Sequence, residues 1–384
     1  MMKATRSFPT KGMLPEVFTA ICVVATAFVV GMFIGKQSRD FLIETASPAA
    51  VLSGVEVAQP ASGLRCPYVL EISLWQDAIT RQQQFCTQLE SLHGDSVPSK
   101  VQLDDQKALI RLDNVQGGSH SIYVMEGDDV VSRAFRETNH WEKREVAAVV
   151  EQLITVADRK GVSRSEVVFI DIGANLGTFT MAAAAAGFKV YAFEPMETNI
   201  AAIRHSICAN KQFLNNVALI ETGLGNEFQT CGLYSGDANV GDGFVNCDPS
   251  FRIDAEVHAK RNISKRQDLI VRRLDDLLGS SVMDSLKARV AVLKIDVEGF
   301  EPLVFEGAKK FLDVVHPEFL MTEVNVDNPI KVKQYMEYMS RWYDVHEEAF
   351  TGPILDLSTL QYPAQGGRRF AVNIFNLYLA AKSI

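Results

Sequence analysis

Apolar residues run from Val167 to Ile172, broken only by Asp171, and lead into the glycine-rich turn Gly173-Ala174-Asn175-Leu176-Gly177. A short apolar run without alternation, closed by a turn, predicts a parallel strand buried on both faces. Thr178 to Ala186 then reads as a helix closed by Gly187, and Lys189 to Glu194 as a second strand stopped by Pro195. The strand pattern returns at Arg289 to Glu298. Upstream, Val146, Val149, Val150, Leu153, Ile154 and Ala157 recur at helical spacing, with Asn139 and Glu142 expected as the cap and Gly161 as the stop. Strands alternating with helices in this way predict a doubly wound, mostly parallel α/β sheet.

The chemistry sits at the ends of these strands. In a doubly wound sheet, an acidic residue about 20 positions after the glycine turn accepts the ribose hydroxyls of an adenosine, and Glu194 stands there. Asn175 occupies the place of the middle glycine that lets backbone approach a pyrophosphate. An adenosine cofactor without phosphates therefore fits better, which favours S-adenosylmethionine over NAD. On the strand ending near Glu298, alternation places Lys294, Asp296 and Glu298 on one face. Three ionisable groups at the end of an apolar strand are costly to bury, so they are expected to line a cleft. Ligands bind where strand order reverses, so the turns after Asp171 and Asp296 should face one crevice. The plainer alternative is a lysine–carboxylate pair that only holds the strand end.

The run Phe169 to Thr180, then Ala192-Phe193-Glu194-Pro195 with Asn199, then Leu274 to Leu278 and Leu293 to Glu301, resembles the FkbM-type family of S-adenosylmethionine-dependent methyltransferases. The resemblance covers roughly Val168 to Val324 and extends weakly back to Trp141-Glu142. It implies a seven-stranded class I methyltransferase (Rossmann-like) fold. It also implies Asp171, Gly173, Asn175, Gly177, Glu194, Asn199 and Glu142 around the cofactor, with Asp296 and Glu298 near the acceptor. Members typically methylate hydroxyls, often of sugars or polyketides. The insertion from Cys231 to Lys265 and the portion before about Asn139 have no counterpart in it.

Composition bounds this reading. With 384 residues, 47% apolar and 22% charged, the chain holds one large domain and an accessory region. A net charge of −9, with no basic stripe carrying aromatics, argues against nucleic acid as a partner. Residues 17–35 carry no charge, close to the ~20 residues that span a bilayer. With Lys3, Arg6 and Lys11 before it, this segment is expected to be a signal anchor with a cytosolic tail (1–16) and a lumenal catalytic portion in the Golgi or ER. A cleaved signal or transit peptide is the alternative. Residues 36–138 read as stem and accessory region, helical around Leu74 to Leu92 and with short strands between Asp104 and Val131. Residues 139–384 read as the methyltransferase domain.

Six cysteines fit an oxidising lumen, with Cys66–Cys86 and Cys231–Cys247 as the local pairings available. Asn262-Ile263-Ser264 is a glycosylation sequon. The stretch Cys231 to Asp248 reads as a loop or hairpin of the kind that covers a cleft. The basic stretch Arg252 to Arg273 reads as a solvated face, or as a surface for an acidic glycan or lipid headgroup.

A sugar hydroxyl must lose its proton as it attacks a methyl donor, so a carboxylate base is expected: Asp296, backed by Glu298 or His140. Alternatively Asp296, Glu298 and Glu323 hold a hard divalent cation that orients the hydroxyl. The expected acceptor is a glycan or small-molecule alcohol. Two rivals stand beside an enzyme of this kind: a nicotinamide oxidoreductase, and a catalytically silent, membrane-anchored glycan-binding or scaffold protein.

Overall fold

The computed structural model describes residues 68–93, 108–112, 118–125, 129–253, 262–325, 336–355 and 374–382. Its first elements are helix α1 (Tyr68–His93), strands β1 (Ala108–Leu112) and β2 (His120–Val124), and helices α2 (Val130–Thr138) and α3 (Lys143–Lys160). Next come β3 (Val168–Ile172), α4 (Thr178–Ala185), β4 (Lys189–Phe193), α5 (Glu197–Ala209) and β5 (Val217–Ile220). Then follow β6 (Gly223–Leu224), β7 (Gln229–Gly236), β8 (Asn239–Asn246) and β9 (Ile263–Arg272). The rest comprises α6 (Leu274–Leu286), β10 (Val290–Ile295), α7 (Glu301–Gly307), α8 (Lys309–Val315), β11 (Phe319–Asn325), β12 (Tyr343–Glu347) and β13 (Ile374–Ala381).

The main sheet has seven strands in the order β12-β13-β11-β10-β3-β4-β5. Strands β11, β10, β3, β4 and β5 run parallel, and β13 is antiparallel to both of its neighbours. This is the expected doubly wound, mostly parallel α/β sheet. Order reverses between β3 and β10, because the chain builds outward from β3 on one side and from β10 on the other.

Strand alternation sorts side chains between two layers. Val190 and Ala192 of β4 join Val149 and Leu153 of α3 on one face, while Tyr191 and Phe193 join Leu278 and Val282 of α6 on the other. Helix α3 ends at Gly161 as expected, in a left-handed conformation. Its start differs from expectation. Asn139 terminates the preceding helix α2 with φ 61°, and Glu142, at φ 46°, makes no side-chain cap.

The accessory region also differs. Helix α1 is longer than the predicted segment and packs on β5, α5 and α6 instead of standing off as a stem. Trp75 meets Tyr191 edge-on at 4.6 Å, and Cys86 is bonded to Cys208 of α5. That bond overturns the expected Cys66–Cys86 pairing, and Tyr68–Ile384 is one compact unit. The Cys231–Cys247 bond is present as expected. The expected tail, the span at 17–35, Cys22 and Cys66 lie outside the described residues. Among the described residues no helix is long and apolar enough to cross a membrane.

The insertion after β5 forms a second sheet in the order β6-β9-β7-β8, with β7 and β8 as an antiparallel hairpin. Three basic residues of this part of the chain pair with nearby carboxylates: Lys265 with Asp268, Arg266 with Asp237, and Arg273 with Asp275 and Asp276.

Candidate active site

A cavity of about 320 Å³ opens beyond the carboxyl ends of β3, β4 and β10, at the point where strand order reverses. The two turns expected to share a crevice do so. Gly173, at φ 81°, lies so close to the Asp296 backbone that an added Cβ would fall 1.8 Å from its carbonyl oxygen. No other residue fits there.

Asp171 lies behind this floor and does not line the cavity, which corrects its expected contact with a cofactor. Its side chain is fully buried on the α4 side, where the Thr180 hydroxyl donates to it at 2.6 Å and the Lys294 ammonium lies 3.7 Å away. Burial pushes the Asp171 pKa up, against the pull of Lys294 and of the Thr180 hydrogen bond. Lys294 itself is 2% exposed, 3.1 Å from Asp296, and donates to the Gly173 carbonyl at 3.2 Å. Burial opposes its charge, but Asp296, Asp171 and Glu142 outweigh that and hold the ammonium above its ordinary pKa. The lysine–carboxylate pair is therefore real, and it forms part of the cleft wall rather than replacing the cleft.

Glu194 lines one end of the cavity. The backbone N–H of Asn175 donates to one of its oxygens at 2.8 Å, and the N–H of Met196 and the Asn199 amide donate to the other at 2.9 and 3.3 Å. Burial raises its pKa to about 7 despite these three donors. Beside it, the side-chain oxygens of Asn175 and Asn199, two residues of the cavity lining, are buried and have no hydrogen-bond partner. Buried acceptors of this kind call for a donor supplied from outside the chain. Asn175 turns into place with φ 53°. Trp141 and Glu142 both line the cavity, Trp141 while also packing on the apolar cluster that holds Ile122 and Phe135, and burial, followed by the nearby Asp296, raises the Glu142 pKa to about 7.

The opposite end is acidic. Asp296, Glu298 and Glu323 each offer an oxygen within 4.8 Å of the others, the trio named from sequence as candidate metal ligands. Their positions differ from the simple strand picture. Strand β10 ends at Ile295, and Glu298, at φ 56°, sits in the following turn. Glu301 builds that turn by accepting from the N–H groups of Val297 and Gly299 at 2.9 and 3.1 Å. Burial, a hydrogen bond with Asp242 and the neighbouring carboxylates raise the Glu298 pKa to about 11. Burial and the charge of Asp296 raise that of Glu323 to about 9.

Two expected residues fall away. His140 is exposed and does not line the cavity. Gly177 does not line it either: it begins α4 at φ 88°, where a side chain would press on Ile203. Asp242, on β8, is the residue that sequence reading missed. The signal available was its place between Gly241 and Gly243 in a hairpin expected to cover the cleft.

Residues 171–347 match the family model described as methyltransferase FkbM domain. No curated protein matches the chain. Among solved structures it is similar to a methyltransferase FkbM from Methylobacillus flagellatus KT, with 14% identity over 59% of this chain and a TM-score of 0.34. That match spans 47% of the Methylobacillus chain, about half its length. It is also similar to a precorrin-6y C5,15-methyltransferase from Geobacter metallireducens GS-15, with 13% identity over 64% of this chain and 92% of that one and a TM-score of 0.32. A third is an rRNA methylase from Streptococcus thermophilus, with 14% identity over 64% of this chain and 100% of that one and a TM-score of 0.33.

Proposed function

We propose that this chain, whose residues 171–347 match the methyltransferase FkbM domain model, transfers a methyl group from S-adenosylmethionine to a hydroxyl of a sugar or other small alcohol. The observation that carries the reading is one cleft whose two ends differ in chemistry. Glu194 and the orphan oxygens of Asn175 and Asn199 stand at one end, and the carboxyl groups of Asp296, Glu298 and Glu323 at the other.

The first end suits an adenosine. Its ribose hydroxyls are donors, and Glu194, Asn175 and Asn199 offer acceptors to receive them. Among the described residues Lys294 is the one cation on the wall, and it is engaged by Asp296 and the Gly173 carbonyl, so a pyrophosphate finds no free positive group. When bound, S-adenosylmethionine supplies a methyl carbon already activated by its sulfonium.

The chain's contribution is orientation and proton handling. Asp296, with a carboxylate oxygen paired to Lys294, is the base we assign to the acceptor hydroxyl. The ion pair fixes the direction of its carboxylate, and the Glu301-built turn places Glu298 beside it. Holding the hydroxyl in line with the methyl carbon supplies most of the rate advantage in such a reaction.

We place the activity in the secretory lumen, behind an anchor at residues 17–35. The disulfides Cys86–Cys208 and Cys231–Cys247 support an oxidising compartment.

The test is incubation of the full chain with methyl-labelled S-adenosylmethionine and a set of glycosides. A base-stable methyl ether is the expected product. Label recovered only as a base-labile ester or on an amine would contradict transfer to a hydroxyl.

A further inference from the structure

We infer that Asp129, upstream of the residues that match the family model, is a positioning residue for the cofactor: it holds the inserted hairpin against Asn199 and so sets the acceptor groups at the Glu194 end of the cleft. The inference rests on the methyltransferase reading and adds to it a residue that acts without lining the cavity.

Asp129 stands just before α2, where its Oδ2 caps the helix by accepting from the Ser132 N–H at 2.8 Å. A cap needs only that one oxygen. The other, Oδ1, accepts at 3.2 Å from the N–H of Gly241 on β8, 112 positions away in sequence. The tie is reciprocal, since the Val130 N–H donates to the side-chain oxygen of Asn239 at 3.3 Å. Asp129 is 2% exposed and Gly241 is buried, so a lost bond between them is not replaced by water.

Gly241 is gripped from both sides. Its carbonyl accepts from the Asn199 amide nitrogen at 3.1 Å, and the same nitrogen donates to Glu194 at 3.3 Å. Both donors of that amide are thus committed to acceptors, which fixes the way the group faces. The Asn199 oxygen is left as the buried, unpartnered acceptor beside Glu194. The fit has no slack, because a Cβ at Gly241 would meet the Asp129 and Asn199 oxygens at 3.2 and 3.3 Å. Without the Asp129 bond Gly241 is free to withdraw, and Asn199 loses one of the two partners that orient it. The hairpin itself remains joined to the protein through the pairing of β7 with β9, so the consequence falls on the cofactor end of the cleft.

The experiment uses the full chain and S-adenosylhomocysteine, with affinity from calorimetric titration and stability from thermal melts. Serine caps a helix as well as aspartate does, but its single, shorter-reaching oxygen cannot also hold Gly241. Asp129→Ser should therefore keep the melting temperature within about 3 °C of wild type and lose about tenfold in affinity, the scale of one buried hydrogen bond. Ser132→Ala removes a hydroxyl of the same helix that accepts from the Met125 N–H at 3.0 Å, away from the hairpin. It should lower the melting temperature while leaving affinity within about twofold. In an Asn199→Ala background, Asp129→Ser should cost no more than about twofold, because the path runs through that amide. Gly241→Ala crowds the tie from the hairpin side with the helix cap intact, and should lose affinity as Asp129→Ser does; it decides the matter if Asp129→Ser does not fold. The inference is overturned if Asp129→Ser or Gly241→Ala binds as tightly as wild type, if Ser132→Ala loses as much affinity, or if the Asp129→Ser loss persists in full without Asn199. Folded wild type that binds no S-adenosylhomocysteine would instead sink the methyltransferase reading, and this inference with it.

Discussion

Gly173 and Asp296 lie in backbone contact, with room for no side chain between them, and this contact joins the end of β3 to the end of β10. The cofactor turn and the acidic turn are therefore one piece of structure. Gly173→Ala should cost more than about 3 kcal/mol, because both overpacking and a left-handed backbone oppose it. Gly161→Ala has a similar φ of 64° but open space around it, and should cost only about 1 kcal/mol. Urea unfolding of the two variants checks the contrast.

Lys294 compensates the buried Asp171 where water cannot, and pairs with Asp296 at the cleft wall. Lys294→Met should destabilise the fold by about 3–5 kcal/mol, because Asp171 is left buried and uncompensated. Adding Asp171→Asn should recover part of the loss, giving a favourable coupling in a double-mutant cycle measured by denaturant unfolding.

Acidic groups around the cleft set the pH dependence. Glu142, Glu194 and Glu301 have folded pKa values raised to about 7, and those of Glu323 and Glu298 are raised to about 9 and about 11. Each raised carboxyl binds its proton more tightly in the folded chain than in the unfolded one. Its contribution is thus full below the ordinary carboxylate range and is lost as pH rises through the folded pKa. Unfolding free energy should fall as pH rises from about 5 to about 9, and Glu298→Gln should flatten that slope and stabilise the protein at pH 8 by roughly 1 kcal/mol or more. Denaturant melts at a series of pH values measure both.

The location proposal has its own test. Asn262 is exposed just before β9, and its side chain is available for modification in a lumen. Expression of the full chain in eukaryotic cells should give a band shifted by N-glycosidase treatment, with Asn262→Gln abolishing the shift. Free thiols at Cys86 and Cys208 in the cell extract, with no glycosidase shift, would contradict a lumenal domain.

The strand pairs and the glycine turn were legible because they depend on local sequence. Asp171, Gly173 and Glu194 fall at strand ends that any apolar run of this kind must have, and the Asp296 turn follows by the same reasoning. Residues whose roles depend on distant partners were not legible. Cys86 meets Cys208 across 122 positions, a pairing that only the packing of α1 on α5 reveals. His140 lies next to the cavity-lining Trp141 and Glu142, and only the left-handed turn at Asn139 and Glu142 decides that it points elsewhere. Asp171 looked like a cofactor contact because it precedes the turn, but strand alternation sends its side chain behind the floor. Asp242 reaches the site through an insertion that carries no motif.

The most direct measurement is calorimetric titration of the full chain with S-adenosylmethionine, S-adenosylhomocysteine and NAD, repeated on Glu194→Ala. Micromolar binding of the first two, none of NAD, and a loss of about tenfold or more in the variant are expected. A folded protein that binds neither sulfur compound, or that binds NAD instead, would contradict the methyltransferase assignment.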